Sequence, residues 1–362
     1  MFFAIYIIFF FLILRLTVTV FNFISDPKLR RINRSYTDLV SILIPARNEQ
    51  DNILTLLQSI NSQDYSNYEV IILDDDSSDS TYDICAEFAA RHPAFRVIKG
   101  RELTGNWLGK NYACHQLAKQ ANGRYLLFLD ADEKVHNGLI NSAVHRMHLR
   151  RLALLSLFAN QQMDTLGEKI VVPLMHYILL NLLPLRLVFL SKNPAFAAAS
   201  GQFMLFDAEI YHQYQWHKLA NDKVVEDIEI MKRVKSVGFD GESLLANGML
   251  SCRMYKSFGG AVDGFGKNFL AAFNYNIFSF ILFLFFLTVG PIIITMTFSV
   301  NLIALMAGLI LLTRIMISFL AGQNVVRNVI LHPLQIFSMV LIASSAIQRY
   351  LTKTTIWKGR RV

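Results

Sequence analysis

Two acidic clusters, each directly after an apolar strand-like run, are the residues of this chain best suited to chemistry. The first comprises Asp74, Asp75 and Asp76, and the second comprises Asp130 and Asp132. Carboxylates crowded at the end of a strand repel one another, and a bound divalent cation such as Mg²⁺ or Mn²⁺ usually compensates. In open α/β sheets, ligands also bind at the carboxyl ends of the strands. The clusters therefore predict a metal and an anionic ligand, and a nucleoside diphosphate fits both features.

The elements that must position these clusters alternate between strand and helix patterns. Strands are predicted at 39–44, 69–73, 95–99 and 124–129, and helices at 49–60, from the cap at 77–79 to residue 90, and at 111–122. Strands that alternate with helices form mainly parallel sheets with right-handed crossovers. The predicted fold class is therefore α/β with a mainly parallel sheet.

The composition is too apolar for a soluble enzyme alone. Of the 362 residues, 53% are hydrophobic and the mean hydropathy is +0.37, which indicates a membrane protein that carries a soluble domain. The net charge of +8 does not indicate a nucleic-acid partner, because many basic residues cluster beside apolar segments. They are Lys28, Arg30, Arg31, Arg34, Lys353, Lys358, Arg360 and Arg361. Three widely separated cysteines, without metal-binding spacing, indicate a reducing compartment.

Apolar segments at both ends predict a multi-pass protein of the cell membrane. Residues 1–24, apolar except for Arg15, predict an uncleaved transmembrane anchor. Residues 269–350 predict a transmembrane region of two or three helices, with a turn at Gly290-Pro291. The last apolar segment, 331–347, either spans the membrane or is re-entrant. A basic tail, 351–362, completes the chain.

A soluble catalytic domain is predicted between these segments, over 36–268. Residues 170–190 inside it are apolar except for Arg186 and are divided by Pro173 and Pro184. A single crossing there would separate the acidic clusters from the residues that follow. We therefore predict an interfacial amphipathic segment, with a true span as the alternative. The basic flanks place the catalytic domain on the cytoplasmic side of the membrane.

Four motifs occur in a characteristic order: Ile44-Pro45-Ala46-Arg47-Asn48-Glu49, Leu73-Asp74-Asp75-Asp76-Ser77-Ser78-Asp79-Ser80-Thr81, Asn106-Trp107-Leu108-Gly109-Lys110 and Phe128-Leu129-Asp130-Ala131-Asp132. Together they resemble glycosyltransferase family 2, and more narrowly its membrane-bound branch, which includes carotenoid- and hopanoid-associated glycosyltransferases. The tail Trp357-Lys358-Gly359-Arg360 resembles the same branch. The resemblance implies a GT-A fold, a nucleotide-diphospho-sugar transferase domain with transmembrane helices at both ends.

The resemblance also implies a role for individual residues. Asp130 and Asp132 would form the DxD motif and hold Mg²⁺ or Mn²⁺, which stabilises the charge of the leaving diphosphate. A solvated acidic turn is the alternative interpretation of these two residues. The implied contacts to the nucleotide-sugar are Pro45, Ala46, Glu49, Asp75, Lys110, Asp130 and Arg253, with Asp74 as the second choice for the aspartate that contacts the nucleoside. Arg253 lies where processive members carry a QxxRW motif, and this departure favours the transfer of a single sugar.

Asp227 is the general base that the resemblance implies, within an acidic motif at 224–229. Direct displacement at an anomeric carbon requires a hydroxyl that loses its proton as it attacks, and it inverts the configuration. Glu226 and Glu229 are alternative bases, and an ordinary charged helix face is the alternative to any catalytic role. Gly201, in a segment that resembles the family's acceptor-side strand, would leave room for a sugar or acceptor.

These features predict an inverting, metal-dependent hexosyltransferase. It would use a nucleoside-diphosphate-sugar, with a UDP-sugar favoured, and a hydroxyl of a lipid-soluble acceptor. The resemblance favours a carotenoid or other terpenoid acceptor, and glycerolipid, hopanoid and polyprenyl phosphate remain alternatives. Nucleotidyl transfer and a non-catalytic scaffold that binds nucleotide-sugars are the rival hypotheses.

Overall fold

The structure is a computed structural model that describes residues 2–270, 273–352, 356–357 and 360–361. Met1 of the predicted anchor and residues 271–272 of the predicted transmembrane region lie outside the described residues. Residues 353–355, 358–359 and 362 of the predicted basic tail also lie outside them.

Two compact units make up the chain. The sheet unit comprises Pro27–Asn160, Arg186–Arg253 and Ile356–Val362, and the membrane-helix unit comprises Met1–Asp26, Gln161–Leu185 and Met254–Thr355. These boundaries differ from the predicted domain of 36–268. The difference arises because the short helices of 161–185 and the helix of 254–268 pack against long apolar helices rather than against the sheet.

The strands, numbered along the chain, are β1 Val40–Ala46, β2 Tyr68–Asp74, β3 Phe95–Lys99, β4 Tyr125–Leu129, β5 Glu133–Val135, β6 Leu154–Phe158, β7 Asn160–Gln161, β8 Phe203–Asp207, β9 Gly241–Leu245, β10 Leu250–Cys252, β11 Ile356–Trp357 and β12 Arg360–Arg361. A seven-stranded sheet has the order β3-β2-β1-β4-β8-β6-β9. Its strands are parallel except for β8, which is antiparallel to both neighbours. The predicted α/β class with a mainly parallel sheet is confirmed.

The centre of this sheet consists of continuous apolar runs because both of its faces are covered. Ile42, Leu43 and Ile44 of β1 are fully buried, and β1 pairs with β2 on one side and β4 on the other. The reversal of β8 brings its first residue, Phe203, opposite Leu129, the last residue of β4. The residues that enter β8 therefore lie at the edge where β4 ends.

The helices, numbered along the chain, are α1 Phe2–Ser25, α2 Ile53–Asn61, α3 Thr81–Arg91, α4 Gly109–Ala118, α5 Leu139–Arg150, α6 Leu166–Val171, α7 Leu174–Leu182, α8 Leu187–Leu190, α9 Ala208–Tyr214, α10 Trp216–Leu219, α11 Glu226–Ser236, α12 Phe258–Asn268, α13 Ile277–Thr295, α14 Val300–Leu320, α15 Val325–Ile330 and α16 His332–Thr352. A 3₁₀ helix at Pro194–Phe196 precedes β8.

In the part of the chain that the structure describes, four helices are long and apolar enough to cross a membrane. They are α1, α13, α14 and α16, and all four belong to the membrane-helix unit. The predicted turn at Gly290-Pro291 is wrong, because both residues lie inside α13. A proline removes one helical hydrogen bond, whereas ending the helix in an apolar environment would leave more backbone groups without partners.

The segment at 170–190 forms short helices instead of one long one. It contains the end of α6, all of α7 and α8, and the breaks between them. The longest, α7, has nine residues and is about 14 Å long, which is less than half of a bilayer's hydrocarbon thickness of about 30 Å. The structure therefore has no continuous helix here that crosses a bilayer, and the interfacial position stays a prediction.

Candidate active site

Lys110 lies at the centre of a group of charged residues in the sheet unit. Its Nζ is 2.7 Å from Asp130 Oδ1 and 3.3 Å from Glu226 Oε1. Burial alone would lower the pKa of Lys110, but Asp130 and Glu226 raise it well above its ordinary value. Lys110 therefore stays positively charged, and its pairing with the two carboxylates offsets the unfavourable place of a positive charge in the first turn of α4. It joins two carboxylates that are far apart in the sequence.

Asp227, the predicted base, lies in the first turn of α11 and contacts Gly201. The Gly201 amide donates to Asp227 Oδ2 at 2.9 Å, and the Ile228 amide donates to Oδ1 at 2.8 Å. Burial and the neighbouring Glu226 raise the pKa of Asp227. The two amides hold the carboxylate in one orientation, while burial and Glu226 favour its accepting a proton.

A side chain at position 201 would crowd the charged groups around it. A Cβ there would lie 2.9 Å from Lys110 Nζ and 3.3 Å from Glu226 Oε1, and real Cβ atoms rarely approach other atoms so closely. Gly201 therefore lets the chain that enters β8 come close to these side chains. The sequence predicts that Gly201 leaves room for a sugar or acceptor. In the structure its open side faces Lys110 Nζ and Glu226 Oε1, and the ligand role stays a prediction.

Asp132, the second residue of the predicted DxD motif, lies in an acidic environment. Burial, followed by Asp130 and Glu49, raises the pKa of Asp132. The Cys252 thiol donates to Asp132 Oδ2 at 3.4 Å. One ligand atom from each of Asp132, Glu133 and Cys252 lies within 4.8 Å of the others. Negative charge is therefore concentrated around Asp132.

These residues fit the divalent cation that the resemblance implies. A cation at Asp132 would stabilise its ionised form, which burial and neighbouring acids disfavour. Carboxylate oxygens are the ligands that Mg²⁺ and Mn²⁺ prefer. Asp130 and Asp132 would hold the ion. Asp130 also contacts Lys110, so that one of its oxygens is already paired with a positive charge.

The loops after β1 and β2 are linked directly to each other. Pro45 and Ala46 end β1, and the Ala46 carbonyl accepts a hydrogen bond from the Asp75 amide at 2.8 Å. Arg47 donates to the carbonyls of Asp75 and Asp76. Its side chain is only 15% exposed, so Arg47 links the two loops from a largely buried position. Asp75 itself is buried.

Two further acids belong to the same pair of loops. The Glu49 amide donates to Thr81 Oγ1 at 2.7 Å, which ties the first loop to the start of α3. Asp74 Oδ2 accepts from the Ser77 amide at 3.3 Å, so this acid stabilises the turn after β2. Asp74 therefore has a local structural contact through Oδ2, whereas its Oδ1 has no hydrogen-bond partner in the described residues. Asp75 stays the predicted nucleotide contact, with Asp74 as the alternative.

The remaining predicted residue, Arg253, directly follows β10. Cys252 of β10 pairs with Glu133 of β5 in an antiparallel register, which brings this strand next to the DxD motif. Sequence reasoning missed Glu133 and the pairing of Glu226 with Lys110. The burial of Glu133 could be predicted in part from the sequence. Alternate side chains of a strand point to the same face, so Glu133 shares a face with apolar Val135. Both are buried, and Lys134 between them is exposed.

Residues 41–215 match the protein family described as "Glycosyl transferase family 2". The match covers 175 of the 362 residues of the chain. The chain is 28% identical to the 4,4'-diaponeurosporenoate glycosyltransferase of Staphylococcus haemolyticus, over 64% of this chain and 61% of that protein. It is 36% identical to the UDP-Glc:alpha-D-GlcNAc-diphosphoundecaprenol beta-1,3-glucosyltransferase of Escherichia coli, over 32% of this chain and 43% of that protein.

The three-dimensional structure also resembles that of a solved glycosyltransferase. A mannosyltransferase from Pyrobaculum calidifontis, solved with GDP-Man and Mn²⁺, superposes with a TM-score of 0.58 at 14% identity, covering 96% of this chain and 99% of that one. The GT-A fold is thereby confirmed, and so is the resemblance to carotenoid-associated members of family 2. The alignments cover less than two thirds of the length of either curated relative.

Proposed function

We propose that this protein is a membrane-bound, metal-dependent, inverting glycosyltransferase. It transfers a hexose from a nucleoside-diphosphate-sugar, preferably a UDP-sugar, to a hydroxyl of a carotenoid or related terpenoid. The observation that carries this proposal is the convergence of Asp130, Lys110 and Asp227 around Gly201. A sugar-transfer site requires both a charged binding site for the diphosphate and a separate base for the acceptor.

The donor half of the site is assigned to the ends of β1, β2 and β4. Asp75 accepts hydrogen bonds from the nucleoside, and Pro45, Ala46 and Glu49 line the same loops. Lys110 and Arg253 offset the charge of the diphosphate. A divalent ion bound by Asp130 and Asp132 would stabilise the negative charge that develops on the leaving group.

The acceptor half of the site is assigned to Asp227. Its carboxylate accepts the proton of the attacking hydroxyl as the new glycosidic bond forms and the bond to the diphosphate breaks. Attack from the side opposite the leaving group inverts the anomeric carbon. The two backbone amides that hold Asp227 orient it before the substrate binds, and its raised pKa brings its basicity closer to that required near neutral pH.

The acceptor class is supported by the membrane helices and by the relatives. Four apolar helices would keep the chain at a membrane, where apolar acceptors dissolve. The names of the two relatives above contain 4,4'-diaponeurosporenoate and diphosphoundecaprenol. We propose the cell membrane as the location, with the sheet unit on the cytoplasmic side, where nucleotide-sugars are made.

A product search tests the proposal. The full chain is expressed in a carotenoid-producing bacterium, and extracted lipids are screened by mass spectrometry for a hexose mass increase. Asp227→Asn should abolish that product. Glu229→Gln, a matched change in the same helix at a residue paired with Arg233, should retain it. Lipid profiles unchanged by the wild-type chain in several hosts would overturn the acceptor assignment, and an α-linked product from an α-linked donor would overturn inversion.

A further inference from the structure

Two arginines are buried among the long apolar helices of the membrane-helix unit. Arg15 of α1 is 8% exposed and Arg314 of α14 is 0% exposed. The sequence contains no aspartate or glutamate after Asp263, so the three apolar helices at the C-terminal side cannot supply a counter-charge. Ionisable groups inside membrane helices are energetically costly and usually mark a functional site.

Both guanidinium groups lie against one tyrosine of α7, Tyr177. Arg15 Nη2 donates to the Tyr177 hydroxyl at 2.5 Å. The guanidinium carbons of Arg15 and Arg314 lie 5.5 Å and 4.9 Å from the centre of the Tyr177 ring. The ring of His332, at the start of α16, is 5.6 Å from the same centre. Nitrogen-containing side chains from α1, α14 and α16 therefore surround the buried Tyr177.

The hydrogen-bond partners of these side chains are neutral, and several of the donors have no partner among the described residues. Arg314 donates to the Gln335 side chain and, at 3.4 Å, to the Asn328 carbonyl. Arg15 Nε and Arg314 Nη1 are buried and have no hydrogen-bond partner in the described residues. The side chain of Asn181, one turn after Tyr177 on α7, has neither a donor nor an acceptor partner there.

Two acids of the membrane-helix unit have other partners. Asp263 pairs with Arg349, and Glu168 accepts a hydrogen bond from the side chain of Thr165. Within the described part of the chain, neither Arg15 nor Arg314 forms an ion pair with a carboxylate. A guanidinium has donors and no acceptor, and a buried charge without a counter-ion costs several kcal/mol. The arrangement therefore matches an oxygen-rich anion.

We propose that Arg15, Tyr177 and Arg314 bind the oxyanion headgroup, a phosphate or carboxylate, of a membrane amphiphile. The helices around the cluster indicate an amphiphile rather than a free ion. Ile13 and Leu14 flank Arg15, and both are exposed large apolar side chains on the outer surface of α1. An apolar tail would lie along such surfaces while its headgroup contacts the arginines. This site does not depend on the proposed sugar transfer.

Lipid binding by the purified full chain tests the proposal. In a neutral detergent, native mass spectrometry measures binding of dioleoyl phosphatidic acid, oleate, dioleoylglycerol and inorganic phosphate. Phosphatidic acid or oleate should bind at least about tenfold more tightly than dioleoylglycerol, which corresponds to about 1.4 kcal/mol. A preference for phosphatidic acid identifies a phosphate ligand, and a preference for oleate identifies a carboxylate ligand. Equal binding of dioleoylglycerol overturns the proposal, and tighter binding of inorganic phosphate overturns the lipid source.

Variants locate the site. Arg314→Gln and Arg15→Gln should each weaken binding of the preferred lipid about tenfold, and Arg314→Lys should retain part of it. Arg349→Gln is the matched control, because the charge of Arg349 is balanced by Asp263. Equal weakening by Arg349→Gln would show a general charge effect and would overturn the site.

A melting experiment on the wild type covers the case in which Arg314→Gln does not fold. The preferred anionic lipid should raise the melting temperature of the wild type, because a ligand that binds only the folded state stabilises it. Dioleoylglycerol at the same concentration should not. Identical melting temperatures with the two lipids would contradict the proposal without any variant.

Discussion

The two units of this protein surround their buried basic side chains with different partners. In the sheet unit, Lys110 lies between the carboxylates of Asp130 and Glu226. In the membrane-helix unit, Arg15 and Arg314 are buried with a tyrosine and neutral amides, and no carboxylate among the described residues pairs with them. The first site has more acid than base and is suited to a cation. The second has only base and is suited to an anion.

The strongest test of the acidic site is the removal of its base. Asp227→Asn keeps the shape of the side chain but removes its ability to accept a proton. We expect kcat to fall by about 10²–10⁴-fold, with little change in donor affinity. Steady-state kinetics with a defined donor and acceptor would measure this. A smaller loss in Asp227→Asn than in Glu226→Gln would assign the base to Glu226.

Removal of the metal should have the next largest effect. A chelator should abolish transfer, and Mn²⁺ or Mg²⁺ should restore it. Asp132→Asn should weaken Mn²⁺ binding at least about tenfold, because one anionic ligand is lost. Electron paramagnetic resonance of free Mn²⁺ measures that affinity without any turnover. Full activity in the chelated wild type would show that Lys110 alone is the cation of this site.

The central ion pair can be tested by its contribution to stability. Lys110→Met leaves Asp130 and Glu226 facing each other without the ammonium. We expect a loss of about 1–3 kcal/mol in the free energy of unfolding, measured by chemical denaturation. Lys223→Met is the control, because the Lys223 side chain is 46% exposed and pairs with its sequence neighbour Asp222. An equal, small loss in both variants would mean that the pair contributes little.

The smallest expected effect is a shift in pH dependence. Asp227 must be ionised to act as a base, so activity should be present above its pKa and lost as the pH falls through it. Because Glu226 raises that pKa, Glu226→Gln should move the acidic limb of the kcat profile to lower pH by on the order of one unit. A shift to higher pH would contradict the assigned coupling.

Sequence patterns predicted the centre of the fold well because burial on both faces leaves a clear signal. The strand predicted at 95–99 has the same bounds as β3, and the strand predicted at 69–73 lies inside β2. The direction of β8 was not predictable, because an apolar run carries no record of which neighbour it pairs with. The continuation of α13 through Pro291 was not predicted. A Gly-Pro pair is typical of a turn, and the local pattern does not show that the apolar surroundings favour a continuous helix.

The candidate site was predictable in part. The motifs indicated Asp130, Asp132 and Asp227. The structure brings Asp130 next to Lys110, and Asp227 next to Gly201. The link between Lys110 and Glu226 was not predictable, because no local pattern relates residues so far apart in the chain. Arg15 stood out as a single charge in an apolar run, but only the structure shows that Arg314 shares Tyr177 with it.

The reversed strand β8 has a consequence for the variation that this fold can accept near the candidate site. The chain enters the sheet through β8 at the edge where the other strands leave it, so an incoming segment, 191–202, meets the residues that follow β4 there. The Gly201 amide donates to Asp227 Oδ2, and the Gln202 carbonyl accepts from the Asp130 amide. A change at Gly201 or Gln202 would therefore disturb both Asp227 and Asp130, although neither acid is adjacent to them in the sequence.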